Sequence, residues 1–160
     1  MRFEDELLAY LPRLRRFAHA LARNATDADD LLQASVERAI LKRDQWEPGT
    51  RLDSWMYRLM RNLWIDTVRV ETRRGETFVP PEAGERVGAT GGQEMAVELG
   101  KVVQAMRTLP PEQREAVALV MIEGFAYKEA AAILDIPMGT LTSRLVRGRE
   151  ALMARLGEAT

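Results

Sequence analysis

Residues 127–149, YKEAAAILDIPMGTLTSRLVRGR, carry the most specific local pattern of the chain. The apolar positions predict a short helix over about 127–134, a turn over 135–138 and a second helix over 139–156. A short helix, a tight turn and a second helix with inward-facing leucines have the spacing of a helix-turn-helix. This stretch therefore predicts a helical fold for at least the C-terminal part of the chain.

The second of these helices is basic. Between Met138 and Glu150 lie Arg144, Arg147 and Arg149 and no acidic residue. An α-helix fits the major groove of DNA, where Arg reads guanine edges and Ser or Thr adapts to several bases. The alternative is an αα-hairpin with a solvated basic face, because charged runs usually face water. The spacing favours DNA binding.

Glycine and proline divide the chain into two halves. Residues 75–92, GETFVPPEAGERVGATGG, contain five Gly and two adjacent Pro, a composition typical of a flexible linker. We predict a domain over 1–74, a linker over 75–93 and a second domain over 94–160. Runs of alternating β-branched residues are absent from the sequence. The predicted fold class is therefore all-α, with two small helical domains joined by a flexible linker.

In the first half, apolar periodicity predicts four helices. The first two cover 4–10 and 12–23, with Pro12 in the first turn of the second. Thr26 is predicted to cap the third helix, with aspartates in its first turn, and Thr50 to cap a long fourth helix that ends near Arg73. The residues expected to face inward from this long helix are Leu52, Trp55, Met56, Leu59, Leu63 and Val68.

In the second half, two helices precede the helix-turn-helix. Apolar spacing predicts the first over 95–108, and Leu109-Pro110-Pro111 ends it. The next covers 112–123 and ends at Gly124.

Two further features lie in the first half. The segment 27–33, DADDLLQ, has acids where a helix dipole favours them, and its Asp and Gln beside Leu also suit a protein interface. Aromatic and arginine residues interleave near the long helix, a pattern that suits single-stranded nucleic acid. Trp46 lies in a predicted loop and is the better candidate for contacting a base, whereas Trp55 shares the core face. Asn62 is either a satisfied buried amide or a base-reading group.

The composition excludes several classes of function. The chain has 160 residues, 23 Lys+Arg, 24 Asp+Glu, one His and no Cys, which excludes disulfides and two-histidine zinc sites. Neither a phosphate-binding loop nor a hydrolase nucleophile motif occurs. His19 is interpreted as a plain helical residue, and no metal, cofactor or enzymatic activity is expected. No apolar run approaches the ~18 residues that span a bilayer, so we expect a cytoplasmic protein without membrane insertion.

Five segments together resemble one protein family. Residues 27–33 are similar to its DAEDLVQ helix, and 47–66 to its PGT-x-L-x-x-W and RN-x-x-ID segments. Residues 109–116 (LPPEQREA), 124–131 (GFAYKEAA) and 139–145 (GTLTSRL) are similar to LPPxxREA, GxSYxEIA and GTVKSRL. With the segments in the family's order and a linker in the family's place, the chain resembles bacterial RNA polymerase sigma factors of the extracytoplasmic-function (ECF) type, especially the proteobacterial general-stress branch.

The resemblance implies that the first half is sigma region 2. This region docks on the clamp helices of the polymerase β′ subunit and holds a flipped base of the −10 element, whose unpairing costs a few kcal/mol. The implied polymerase contacts are Asp30, Leu31, Leu32 and Gln33. The implied −10 contacts are Trp46 and Asn62 at the flipped base and, along the phosphates, Arg58, Arg61, Arg69 and Arg73.

The second half is then implied to be sigma region 4, whose helix-turn-helix reads the −35 element as duplex DNA. The implied contacts are Tyr127, Lys128, Thr140, Thr142, Ser143, Arg144 and Arg147. The implied partners are core RNA polymerase, through the β′ clamp helices and the β flap, promoter DNA and an anti-sigma factor. The implied function is that of an alternative sigma factor that directs promoter-specific transcription initiation and assists melting.

Two positions depart from the family pattern, and two other functions stay open. Thr142 stands where Lys or Arg is frequent, and Ala34 where an acid is common.

A stand-alone helix-turn-helix regulator would account for 127–149 but not for the first half. A sigma-like decoy that binds an anti-sigma factor would tolerate loss of the basic helix, which this chain retains. The net charge of −1 predicts weak DNA binding by the protein alone.

Overall fold

The computed structural model describes residues 2–73 and 93–158, and in these ranges every regular element is helical. The predicted all-α class is confirmed. The predicted linker over 75–93 lies outside the described residues except for its last position. The α-helices are α1 (Phe3–Leu21), α2 (Ala25–Leu41), α3 (Leu52–Arg73), α4 (Gln93–Arg107), α5 (Pro111–Val117), α6 (Tyr127–Leu134) and α7 (Met138–Glu158).

The N-terminal half packs α1, α2 and α3 so that each helix contacts the other two. The prediction of two helices over 4–10 and 12–23 is wrong, because α1 runs through Pro12 without interruption. Leu7, Leu14, Phe17 and Leu21 are all buried and form one continuous apolar stripe. Burial of this stripe outweighs the hydrogen bond that proline removes from a helix interior.

Both predicted helix caps of this half are wrong. Asn24 caps α2, since its Oδ1 accepts a hydrogen bond from the Asp27 N–H at 2.8 Å, so Thr26 lies inside the helix. Thr50 does not cap α3, because its hydroxyl donates to the Glu47 carbonyl at 2.6 Å within the preceding loop. Both residues are good cap formers, but loop geometry decides which of several neighbouring candidates reaches the helix.

In the C-terminal half, the helix predicted over 112–123 consists of α5 and a π-helical turn at Ala118–Ile122. The Glu123 N–H bonds to the Ala118 carbonyl at 2.9 Å, which is the i to i+5 pattern of such a turn. Helix α7 packs closely on α5: a Cβ built on Gly148 would lie 2.7 Å from Val117 Cγ2. A glycine at this position lets the two helices approach.

The two halves contact each other directly. Helix α1 contacts α4 and α5, and α3 contacts α6. The buried Arg114 guanidinium donates to the carbonyl of Leu21 in α1 at 2.9 Å. It also donates to carbonyls at the α4–α5 connection, those of Met106, Arg107 and Leu109. The Arg114 side chain therefore stabilises the α4–α5 turn and connects it to the N-terminal half.

Within residues 2–73 and 93–158, no helix combines the length and the apolar character that crossing a membrane requires.

Candidate nucleic-acid and polymerase interface

A cavity of about 720 Å³ surrounds Trp46 in the connection between α2 and α3. The Trp46 ring lies 5.7 Å from the Phe3 ring, and Phe3 in turn lies edge-on to Trp55 at 6.1 Å. The lining residues are Phe3, Glu6, Arg43, Asp44, Trp46, Pro48, Gly49 and Thr50. A concave, aromatic and partly polar site of this kind suits a single planar ring.

Helix α1 forms one wall of this cavity. An ion pair of 2.6 Å between Glu4 and Arg43 Nη1 holds the start of α1 against the connection. Sequence reasoning missed Phe3 and Glu6. The signal that would have found them is the antiparallel pairing of α1 and α2, which places the start of α1 beside the end of α2.

The indole Nε1 of Trp46 is buried and has no hydrogen-bond partner among the described residues. Buried donors are usually satisfied, so this N–H is a candidate for bonding to a ligand atom. Asn62, which the family resemblance places beside Trp46, is not among the residues that line the cavity. It lies about 15 Å along α3 from Leu52, given a rise of 1.5 Å per residue.

A basic stripe runs along the exposed side of α3. Its members recur at spacings of four, seven and four residues, which keeps them within about 60° of one another around the helix. All four are exposed: Arg58, Asn62, Arg69 and Arg73. Arg61 is set off from this stripe and faces the C-terminal half. The stripe presents three guanidinium groups to solvent, and arginines are among the side chains that contact nucleic-acid phosphates.

The DADDLLQ segment forms the first turns of α2. Asp30 and Gln33 are exposed and Leu32 is half-buried. Leu31 is 5% exposed and belongs to the core, so it packs beneath the exposed residues of this segment. The surface defined by Asp30, Leu32 and Gln33 combines polar groups with a partly accessible apolar side chain, as protein interfaces do.

The helix-turn-helix prediction agrees with the described geometry. Helix α6 covers Tyr127–Leu134 as predicted, and Asp135 ends it with a left-handed backbone (φ 55°). The Glu129 carboxylate accepts a hydrogen bond from the Ala126 N–H at 3.2 Å, which caps the start of α6. Leu141 and Leu145 of α7 are buried. The turn is thus fixed by local hydrogen bonds and the second helix by its leucines.

Helix α7 exposes a polar face opposite its buried leucines. With 100° per residue, Thr140, Ser143, Arg144 and Arg147 share this face, and none of them is buried. Thr142 lies roughly 160° around the helix from Arg144, and its hydroxyl donates to the Met138 carbonyl at 2.9 Å. Tyr127 and Lys128 are exposed at the start of α6. All seven predicted −35 residues are therefore accessible, and the four on one face of α7 are set apart from Thr142.

Two buried carboxylates of the C-terminal half bind side chains of the N-terminal half. Glu123 has a side chain that is 0% exposed; it accepts hydrogen bonds from Arg16 Nε at 2.7 Å, Arg16 Nη2 at 2.9 Å and the Tyr57 hydroxyl. Glu115 accepts from Arg61 Nε at 3.0 Å and Arg61 Nη2 at 3.3 Å. One of the predicted −10 arginines is therefore engaged inside the molecule.

The electrostatic environment keeps Tyr57 and Arg16 in the protonated forms that donate hydrogen bonds to Glu123. Burial, together with the hydrogen bond and negative charge of Glu123, raises the pKa of Tyr57 far above its ordinary range, so its hydroxyl stays a donor. The hydrogen bond with Glu123 raises the pKa of Arg16. A further contact joins Arg51, at the start of α3, to Glu129 of α6, and the Phe125 ring lies 4.9 Å from the Tyr57 ring.

Both halves of the chain match known protein families. Residues 94–152 match the family model for sigma-70 region 4, and residues 7–61 match the model for the sigma2 domain of PhyR. The chain is 38% identical over 152 residues to the ECF RNA polymerase sigma factor EcfG of Rhodopseudomonas palustris, covering 95% of this chain and 83% of that one. This chain belongs to the ECF RNA polymerase sigma factors. It is an alternative sigma factor that directs transcription.

Two other sigma factors match nearly the whole length of this chain. The RNA polymerase sigma factor CarQ of Myxococcus xanthus is 32% identical over 157 residues, covering 98% of this chain and 90% of CarQ. The sigma factor RpoE of Bartonella quintana, solved in complex with the anti-sigma factor NepR, matches with a TM-score of 0.84 and 33% identity. That match covers 97% of this chain and 96% of RpoE. The N-terminal half of this ECF sigma factor is hereafter called region 2 and the C-terminal half region 4.

Proposed function

We propose that this ECF sigma factor reads a two-part promoter with the two surfaces described above. Region 2 holds an unpaired base of the −10 element in the Trp46 cavity, and region 4 reads the −35 element with the polar face of α7. The observation that carries this proposal is the Trp46 cavity itself, which lies at the start of α3, the helix that bears the basic stripe. A regulator that bound only duplex DNA would not require such a cavity.

The −10 assignment rests on complementary chemistry. A base that leaves the duplex loses its stacking, and aromatic rings replace that stacking at about 1–3 kcal/mol per base. Trp46 and Phe3 supply the rings. Arg58, Arg69 and Arg73 lie further along α3, where phosphates of the same strand would follow. Asn62 belongs to this stripe and would contact the strand away from the flipped base.

The −35 assignment rests on the exposed face of α7. Arg144 and Arg147 can donate two hydrogen bonds each to guanine edges, and Thr140 and Ser143 adapt to their neighbours. Tyr127 and Lys128 stand at the start of α6, where they would contact the DNA backbone. Phosphate contacts fix the register of a recognition helix but carry no sequence information.

Polymerase and an anti-sigma factor complete the proposed set of partners. The surface of Asp30, Leu32 and Gln33 would dock on the β′ clamp helices, and region 4 would contact the β flap. RpoE of B. quintana binds the anti-sigma factor NepR, which supports a partner of that class here. The chain would supply specificity and no catalysis, and it would act in the cytoplasm, where RNA polymerase works.

In vitro transcription tests this function. Core RNA polymerase, with and without the purified protein, is presented with a library of genomic fragments, and the transcript start sites are mapped. We expect start sites that depend on the protein and share two upstream elements at a constant separation. Start sites identical to those of core polymerase alone would contradict the proposal.

A further inference from the structure

The contact between region 2 and region 4 is built from buried charged groups. Each oxygen of the Glu123 carboxylate receives an Arg16 nitrogen, and Oε1 also receives the Tyr57 hydroxyl. All three of these bonds come from region 2. A carboxylate that is buried without partners costs several kcal/mol, so Glu123 must either keep its region 2 partners or return to water. This favours two discrete arrangements, closed and open.

The second carboxylate of this contact binds a DNA-binding candidate. Glu115, whose side chain is 5% exposed, takes both Nε and Nη2 of Arg61. A guanidinium binds the two oxygens of a phosphate in the same forked geometry that it uses for a carboxylate. Glu115 therefore occupies Arg61 as a phosphate of the −10 strand would, and Arg61 cannot bind both at once.

We propose that Glu115 and Glu123 form an intramolecular latch that closes region 4 on region 2 and withholds Arg61 from DNA. The latch consists of these two carboxylates with Arg61, Arg16 and Tyr57. Its consequence for DNA rests on the proposed function, which gives Arg61 a phosphate contact. Closure itself rests only on the contacts between the two regions. Polymerase and −10 DNA would bind the open form, and the closed population lowers their apparent affinity in proportion.

The likeness to RpoE sharpens this inference. RpoE was solved with its anti-sigma factor, and the match extends over 97% of this chain with a TM-score of 0.84, which requires similar placement of both regions. Here the closed arrangement is held by the chain's own side chains. An anti-sigma factor would then stabilise a state that already exists, because a ligand shifts a two-state equilibrium toward the form it binds better.

Förster transfer between two engineered cysteines measures closure directly. The chain has no native Cys, so Glu37→Cys in α2 and Met153→Cys in α7, both at exposed positions, take donor and acceptor without competition. We expect high transfer efficiency in the parent protein. The E115Q/E123Q variant, which keeps side-chain shape and removes both charges, should lower it. The matched control E112Q/E150Q removes two exposed carboxylates of region 4 and should leave it unchanged.

A second variant opens the latch from the other side. Arg16→Gln leaves region 4 intact, and the Arg16 side chain is 51% exposed, so its loss should not prevent folding. Arg15→Gln makes the same change at the neighbouring exposed position as its control. We expect R16Q, unlike R15Q, to lower the transfer efficiency. Unchanged efficiency in R16Q and in E115Q/E123Q would overturn the latch.

Binding of single-stranded DNA tests the masking of Arg61. The probe is a fluorescein-labelled oligonucleotide of random sequence and about twelve nucleotides, within the range that a small domain covers. We expect E115Q/E123Q to bind about tenfold more tightly than E112Q/E150Q, which is about 1.4 kcal/mol at 25 °C. Reduced transfer with equal affinities would overturn the masking of Arg61. Failure of the proposed function would show separately, as absent promoter-specific transcription with an intact transfer response.

Discussion

The two proposed DNA-binding surfaces of this sigma factor differ in how accessible their residues are. The polar face of α7 is open to solvent in the closed arrangement. The corresponding residues of region 2 are divided: the stripe on α3 is exposed, but Arg61 is bound by Glu115 of region 4, and Trp46 packs against Phe3. Under the proposed function, recognition of the −35 element would require no change in the protein, whereas full recognition of the −10 element would require region 4 to move.

Loss of Arg114 should have the largest effect, because it acts on both sides of this comparison. Burial and then the nearby charge of Arg107 lower the pKa of Arg114, and its guanidinium is satisfied by four carbonyls, one of them in region 2. Arg114→Met leaves those carbonyls unsatisfied in the interior. We expect the free energy of unfolding to fall by about 3 kcal/mol, measured by urea denaturation. A change below about 0.5 kcal/mol would show that water replaces the guanidinium.

Removal of Trp46 should impair only the region 2 side. Trp46→Ala deletes the ring on which a flipped base would stack and also the packing on Phe3, so we expect open-complex formation to weaken by about 1–3 kcal/mol. Permanganate footprinting on a cognate promoter measures the melted region. Gel-shift binding of duplex −35 DNA by holoenzyme should be preserved. Equal losses in both assays would mean that Trp46 is structural.

Removal of Arg147 should impair only the region 4 side. Arg147→Ala is expected to weaken −35 recognition by about 1–3 kcal/mol, the range for a good base contact. Arg149→Ala is the matched control, because Arg149 lies roughly 160° from Arg147 around α7. Transcription from the cognate promoter and from a copy with a scrambled −35 element measures the effect. If both variants lose equal activity, the charge of α7 matters and its orientation does not.

Features fixed by interactions between sequence neighbours could be predicted from the sequence, whereas features that depend on distant residues could not. Helix α6 was predicted to the residue because its start, its end and its apolar positions are all marked within a few neighbours. Pro12 led to the wrong prediction of two helices, because the apolar stripe that keeps α1 continuous is buried by partners in other helices. The hydrogen bonds from Tyr57 and Arg16 to Glu123 join residues that are 66 and 107 positions apart. No local sequence pattern predicts contacts of this kind.

The same limit applies to the candidate site. Trp46 stood out because a loop tryptophan is unexpected, and the family motifs led to the faces of α2, α3 and α7. Phe3 went unnoticed, since its role depends on how α1 pairs with α2. Arg61 was predicted as a −10 contact from the family motif, whereas its engagement by Glu115 depends on how the two halves of the chain pack together.

The smallest expected effect concerns His19, which lies at the meeting point of both regions. Its side chain is 7% exposed, and Nε2 lies 3.5 Å from Asp29 Oδ1. Burial lowers the pKa of His19 below the ordinary 6.5, against the opposing charge of Asp29 and with the help of Arg15 and Arg107. The unfolded chain therefore binds a proton at a higher pH than the folded chain does.

Stability should consequently decrease as the pH falls through about 6.5, and the decrease should end below the lowered pKa of the folded state. Urea midpoints at pH 7.5 and 5.5 measure this, with His19→Gln as the comparison, because glutamine does not titrate. The wild-type midpoint should drop more than that of H19Q between the two pH values. Since Arg107 belongs to region 4, transfer efficiency measured in the same samples tells whether the lost stability lies between the regions. A drop in efficiency of the wild type alone would place His19 among the groups that oppose closure in acid, whereas equal midpoint shifts in both proteins would remove it from this role.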